Sequence, residues 1–500
     1  MTSRLIVWLV MTLSVGYVCL RLLLPRARTS YLNFFTEVCL AFGLGIGVSS
    51  CVFFVCLLVS SNGSSWLFFT EGAILSAGSL FLLGFSKSFN RRSSRSYEPA
   101  TNVESLPQLR FFAPLVYATT AFSLAVFLMY SFDARHGEYD GWEIWNMRAR
   151  FLFRGGSHWA DGFTNLLDYS HPDYPLLIPA SIARSWFYGG VETQITAITI
   201  ALAFTFGTIA LLTFSLWQLR SKSQGLLAGL ALVGTPFFII HGASQYADVP
   251  LGFYYLATLV VLNLHEQVQS GPKPLVLAGI TAGLSAWTKN EGVLFVGCIV
   301  LALVALSVAS KGWKHCLDRL APFCLGLFPI LAVVAYFKIT LAPPNDIVSG
   351  QGLAATLERL LTLSRYWDIG KAFVEQLFSF GVWHPYTNIP LLLGFYFLLL
   401  GVDFSQWSIG VGVCVAALVL MVMAYFMTYL VTPRPLQWHL MTSLNRLCLQ
   451  LWPSFLFTYF LIVRTPERAM ASDTKVKPQE LGAYRQRGIE SLAVADQARL

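Results

Sequence analysis

The stretch YDGWEIWNMRARFLFRGG, residues 139–156, sets one aspartate, two tryptophans and three arginines directly after an apolar run. Three more polar groups interrupt apolar sequence: HPDYPLLIP at 171–179, QYADVPL at 245–251 and AWTKNEG at 286–292. A fifth, TPRPLQWHLMTSLNRLCLQLWP at 432–453, adds Arg434, His439 and Arg446. One reaction uses all these parts: moving a sugar off a phosphate whose lipid tail stays in a bilayer. Cations hold the phosphate and stabilise it as it leaves. A single carboxylate takes the proton of the acceptor hydroxyl. Phosphate leaves readily, so no second carboxylic acid has to protonate it, whereas glycoside hydrolysis ordinarily uses two. One direct displacement inverts the anomeric centre. Trp and Tyr offer flat faces with a polar edge to sugar and lipid.

Each of these residues also has a plainer reading. Asp140 stands where it would cap or complement the dipole of the helix that follows. Trp142, Trp145, Ala149 and Leu152 fall at i, i+3, i+7 and i+10. That spacing predicts an interfacial helix with its aromatics sunk and with Arg148, Arg150 and Arg154 at headgroup level. His171 and Asp173 stand among prolines that fix a turn. Asp248 precedes a proline by two residues and reads as a cap or as a carboxylate facing Asp140. Lys289 and Glu291 either neutralise each other at a tight turn or leave the lysine as a point charge for phosphate. Arg434, His439 and Arg446 suit a pyrophosphate or a sugar, and equally suit snorkelling anchors.

The elements that must position them are membrane helices. The 500 residues are 55% hydrophobic and only 12% charged, about half the charge of a soluble domain. Apolar runs near 5–24, 35–59, 66–86, 111–132, 193–217, 224–240, 250–266, 274–289, 291–309, 321–341, 386–402, 408–430 and 447–463 predict an all-α polytopic membrane protein of about 13 spans. The first run lacks a small-residue cleavage site and reads as a retained span. No ten-residue alternating strands point to a barrel. The net charge of +8 comes with no basic stripe for nucleic acid. Eight of the nine cysteines lie in apolar runs without a pairing pattern, so neither a disulfide framework nor a zinc site is expected. No Gly-rich phosphate loop is present.

Lys87, Arg91, Arg92, Arg95 and Arg110 place the linker 87–110 in the cytoplasm by the positive-inside rule. Segments 133–192, 241–249, 342–385 and 431–446 then lie on the other face, with all five polar groups. The expected organisation is a three-span N-terminal appendage at 1–86, the linker 87–110, a membrane module at 111–463 with its main outer loop at 133–192, and a cytoplasmic polar tail at 464–500.

These segments, in order and on one side, resemble bacterial GT-C glycosyltransferases, the group related to protein O-mannosyltransferases and lipid A aminoarabinose transferases. The resemblance covers about 111–463. It implies a GT-C transmembrane bundle with interfacial helices in the first large outer loop, a polyprenyl-phosphate sugar donor, and a bacterial inner membrane with the site on its periplasmic or extracellular face. On that pattern Asp140 is the catalytic base, Asp248 matches the second acidic position, and Lys289 lies near the donor phosphate. Glu291, Arg148, His171, Asp173, Tyr174, Arg434, His439 and Arg446 are expected to bind substrate. Many relatives carry an Asp-Glu pair, through which some hold a divalent cation; here Gly141 follows Asp140, and no metal ligand is assigned. The acceptor, a lipid, glycan or protein, is left open. The alternatives are a carrier or flippase for lipid-linked sugars, which should carry polar groups on broken helices near the midplane, and a non-catalytic membrane scaffold.

Overall fold

A computed structural model describes residues 2–24, 34–59, 64–89, 112–268, 271–345, 352–381 and 388–473. Residues 90–110 of the expected linker and 474–500 of the expected tail lie outside the described residues. Every regular element within them is helical. The first group comprises α1 (Thr2–Leu23), α2 (Phe34–Val59), α3 (Ser64–Phe89) and α4 (Phe112–Asp133). A π-helical turn, Gly141–Asn146, runs into α5 (Met147–Arg154), then α6 (Leu177–Gly189) and α7 (Gln194–Leu219). The centre of the chain forms α8 (Lys222–Val233), α9 (Pro236–Ala243), α10 (Asp248–Val268), α11 (Lys273–Thr288) and α12 (Asn290–Thr340). Last come α13 (Leu353–Leu361), α14 (Leu363–Ser379), α15 (Ile389–Leu400), α16 (Ile409–Val431), α17 (Leu436–Ile462) and α18 (Pro466–Asp473).

Six of the described helices are long and apolar enough to cross a membrane: α1, α2, α4, α7, α12 and α16. The pair α8 and α9, bent by 63°, makes a seventh if it is one span. Their outer faces are apolar. On α4, Tyr117 (71%), Phe122 (69%) and Met129 (75%) are exposed. Such contiguous apolar surface suits hydrocarbon rather than water.

α10 is the hub. From Val249 to Leu264 nearly every side chain is buried, the signature of a helix surrounded on all sides. It packs on α7, α11, α16 and α17. The first helices belong to the same core and are not an appendage. Tyr254 of α10 donates to the Gly43 carbonyl of α2 at 2.8 Å, and Trp287 Nε1 of α11 donates to Ser50 Oγ of α2 at 3.1 Å. A buried ion pair joins α3 to α6: Arg184 Nε and Nη2 reach Glu71 at 2.6 and 2.7 Å, and Arg184 Nη1 donates to Thr12 of α1 at 2.8 Å.

α12 is 51 residues long yet is not one rod. Gly312 breaks it with φ +79°, a conformation that costs little only for glycine. Lys338 Nζ near its end lies 2.6 Å from Asn290 Oδ1 at its start. A straight helix would hold those residues roughly 70 Å apart at 1.5 Å per residue. The element therefore folds back as a hairpin, and both its ends reach the face of the bundle where α10 begins. At the other end of α10 a second set of charges gathers. There Arg319 pairs with Glu266, and Arg220 (3.3 Å) and Arg468 pair with Asp403. A cavity of about 230 Å³ lies among them, lined by Arg220, Glu266 and Trp407.

Candidate active site

Four distant segments bring charged side chains together at the N-terminal end of α10. Asp248 opens that helix, two residues before its apolar run. Lys289 is the break between α11 and α12, with extended backbone (φ −152°, ψ 163°). Arg446 comes from α17 and Asp140 from the start of the π turn. Lys289 Nζ lies 3.0 Å from Asp248 Oδ1 and 2.9 Å from Glu291 Oε1. Arg446 Nη2 bridges the two aspartates, 2.6 Å from Asp140 Oδ2 and 2.9 Å from Asp248 Oδ2. Gln450, one turn along α17, donates to Asp248 at 2.6 Å and to Glu291 at 3.2 Å, and accepts from Tyr425 at 2.8 Å.

The two aspartates differ in one decisive respect. The Asp248 side chain has no exposed surface, whereas that of Asp140 keeps 16%. Burial alone would raise the Asp248 pKa, but Arg446, Lys289 and Gln450 outweigh it and hold the carboxyl well below its usual range. Asp248 thus anchors two cations and presents no exposed surface. It does not face Asp140 across a cavity; the two share one arginine. Asp140 does not cap the following helix, because its side chain makes no capping hydrogen bond. Its carboxylate is aimed at the cluster instead.

Loop chemistry sets that aim. Asn146 Nδ2 donates to the His136 carbonyl and to Gln245 Oε1, each at 2.8 Å. Gln245 Nε2 donates back to the Arg135 carbonyl at 3.1 Å. These bonds lash the Asp140 loop to the turn before Asp248. Gly141 is required by the close approach: a Cβ there would lie 2.5 Å from the Ser244 carbonyl oxygen. The position after Asp140 is thus sterically closed to a second acid, and the nearby Glu143 is buried with Oε2 unpartnered.

The expected amphipathic face is only partly present. Trp145, Ala149 and Leu152 are buried, but Trp142 is 46% exposed. The π turn, with i→i+5 bonds, alters the register upstream of Met147, so Trp142 rotates off the face. Arg148 does not face outward as expected. It is fully buried and donates to the backbone carbonyls of Ser170 and His171, and to that of Tyr174 at 3.4 Å. It positions the HPDYP loop and is closed to substrate. Arg150 and Arg154 both pair with Glu192, whose partners overcome burial and lower its pKa.

The loop that Arg148 holds lines the site. His171, in the left-handed region at φ 49°, stacks on Tyr174 with centroids 4.9 Å apart, and Tyr174 stacks on Trp145 at 5.7 Å. Lys289 sits 5.5 Å from the Tyr174 ring centroid, and Arg446 sits 4.8 Å from that of Tyr246. Asp173 Oδ2 accepts from Asn290 at 2.7 Å and Asn345 at 2.8 Å, with Lys338 3.6 Å away.

Asp140, Asp248, Lys289, Glu291 and Arg446 thus converge, with His171, Asp173 and Tyr174 beside them. Arg434 and His439 do not join the cluster: Arg434 lies over Trp438, and His439 contacts Thr432 and Tyr429, two turns from Arg446. Lys289 has a 4% exposed side chain between two carboxylates, which opposes its expected contact with a phosphate. Gln450, Tyr246, Lys338 and Asn345 were not expected. Among the described residues no group of three or more His, Cys, Asp or Glu side chains is placed to hold a metal ion. Comparison of the chain with protein-family models, curated proteins and solved structures gives no match.

Proposed function

We propose that this protein is an inverting membrane glycosyltransferase, moving a sugar from a polyprenyl-phosphate donor to a lipid, glycan or protein acceptor on the non-cytoplasmic face. The observation that carries the reading is the shared Arg446: it joins a buried aspartate to a partly exposed one, at one end of an apolar bundle and beside a stacked His–Tyr–Trp wall. In this reading Asp140 takes the acceptor's proton. The acceptor oxygen forms the new bond to the anomeric carbon from the face opposite the phosphate. The sugar–phosphate bond breaks, and its electron pair leaves with the polyprenyl phosphate. Lys289 and Gln450 hold Asp248, Asp248 fixes Arg446, and Arg446 in turn orients Asp140.

Among the described residues the apolar runs fall mainly on helices, and we take each as a span or half-span. The charges around Arg220, Arg319 and Arg468 then mark the cytoplasmic side, following the excess of basic residues there. A carrier would need its polar groups near the midplane, whereas this cluster lies at the start of α10 and the break between α11 and α12. The test is transfer by purified protein from a radiolabelled polyprenyl-phosphate sugar to envelope lipids and glycans. Transfer from a nucleotide sugar alone, or lipid translocation without transfer, would sink the reading.

A further inference from the structure

We propose that the donor phosphate binds at Lys338, against the HPDYP loop, and not at Lys289. This rests on the glycosyltransferase reading and specifies its donor subsite. The central cluster has two cations, Lys289 and Arg446, against three carboxylates, Asp140, Asp248 and Glu291. Its net charge of −1 repels an anionic donor. The adjoining group is the reverse. Lys338 and Arg148 face the single carboxylate of Asp173, and Arg148 hydrogen bonds only to backbone carbonyls among the described residues. That group carries +1.

Access separates the two lysines in the same direction. The Lys289 side chain is 4% exposed and that of Lys338 is 28% exposed. An ammonium has three donors. Lys289 directs its own at Asp248 and Glu291 beneath the Tyr174 ring. Lys338 spends one on Asn290 Oδ1 at 2.6 Å and one on the Asp173 carbonyl. The third faces the Asp173 carboxylate across a long contact, and a phosphate oxygen would share it. The Asp173 carboxylate is already served by the amides of Asn290 and Asn345 and stands 3.6 Å from the ammonium, so the lysine's charge is not fully spent.

The surroundings suit a lipid phosphate rather than a free one. Lys338 lies in the last turns of α12, and its neighbours Ile339 (82% exposed) and Tyr336 (47% exposed) continue the apolar outer face. An isoprenoid chain lying along that face carries its phosphate to Lys338, while the sugar reaches inward over Tyr174 toward Asp140.

The experiment titrates the full-length protein in nanodiscs with polyprenyl monophosphate, and separately with inorganic phosphate. Wild type, Lys338→Ala, Lys338→Arg and Lys289→Ala are compared, and donor KM and kcat are measured in the transfer assay. Lys338→Ala should weaken polyprenyl phosphate about ten- to a hundredfold, the loss of one charge-assisted hydrogen bond. It should raise KM and also lower kcat, because the same cation stabilises the charge that develops on the leaving phosphate. Lys338→Arg should recover most of the affinity, which a purely structural lysine would not require. Equal affinity in wild type and Lys338→Ala overturns the assignment, as does a loss confined to a folded Lys289→Ala. Inorganic phosphate binding as tightly as the lipid overturns the lipid part. Wild type that binds polyprenyl phosphate but ignores the Lys338 change refutes this subsite alone; wild type with no such binding refutes the glycosyltransferase reading itself.

Discussion

Replacing Asp248 with alanine tests whether the charged cluster is built as described. The carboxylate accepts from Lys289 Nζ at 3.0 Å and Gln450 Nε2 at 2.6 Å on one oxygen, and from Arg446 at 3.2 and 2.9 Å on the other. The substitution leaves two buried or nearly buried cations short of a partner. Removing one member of a buried ion pair costs about 3–5 kcal/mol. Lys289 keeps Glu291 and Arg446 keeps Asp140, so the loss should lie near the lower end of that range. Asp248→Asn keeps the shape but not the charge and should lose less. The depressed pKa of Asp248 fixes the sign of its pH dependence. Its contribution is fully present above the ordinary carboxyl pKa and is lost only as pH falls through the lower folded value. Between pH 7 and 5 this group should therefore add no slope to the stability. Unfolding of purified variants in mixed micelles reads both effects. An Asp248→Ala variant within about 0.5 kcal/mol of wild type, the scale of an ordinary surface change, would refute the cluster.

Three further outcomes follow from the packing. Glu71→Ala should destabilise by about 3–5 kcal/mol because it strands buried Arg184, whereas Glu71→Met with Arg184→Leu should recover most of that loss; thermal melts of the two variants distinguish them. Gly141→Ala pushes the Asp140 loop off the Ser244 carbonyl. A displacement of about 1 Å can cost on the order of 100-fold in rate, so transfer should fall, and the clash with backbone should also cost about 1–3 kcal/mol in the melt. For sidedness, Leu166→Cys and Trp313→Cys are 86% and 66% exposed positions. The first should label from outside intact cells and the second only after permeabilisation; the opposite pattern would invert the proposed topology.

Much of the site was legible because charges are rare in this chain. Asp140, Asp248, Lys289, Glu291 and Arg446 each interrupt apolar sequence, and membrane burial of an ionisable group is costly enough to single it out. Which of them touch was not legible, since Arg446 near the end of the chain pairs with both Asp140 and Asp248 far back in the sequence. Gln450 was hidden inside an apolar helix, where an amide reads as incidental. Lys338 was not singled out: the two apolar runs 291–309 and 321–341 read as separate spans, but nothing in their pattern shows that Lys338 meets Asn290. The face through Trp142 failed for a local reason: a period of 3.6 does not hold across a π turn. Glu71 and Arg184 were overlooked because each is an isolated charge in an apolar stretch, and their pairing adds to the packing of α3 on α1 and α2. The arginines of 148–154 were read as one headgroup set, yet Arg148 points inward to backbone carbonyls and the other two meet Glu192.

The most direct measurement is the transfer rate of Asp140→Asn with a radiolabelled polyprenyl-phosphate sugar, alongside its melting profile. Asparagine keeps the volume and removes the proton acceptor, and Arg446 retains Asp248. General-base catalysis is worth about 10²–10⁴-fold. The account predicts a folded variant whose turnover falls at least about a hundredfold while donor binding persists. Near-normal turnover in Asp140→Asn would contradict it and remove Asp140 from the chemistry.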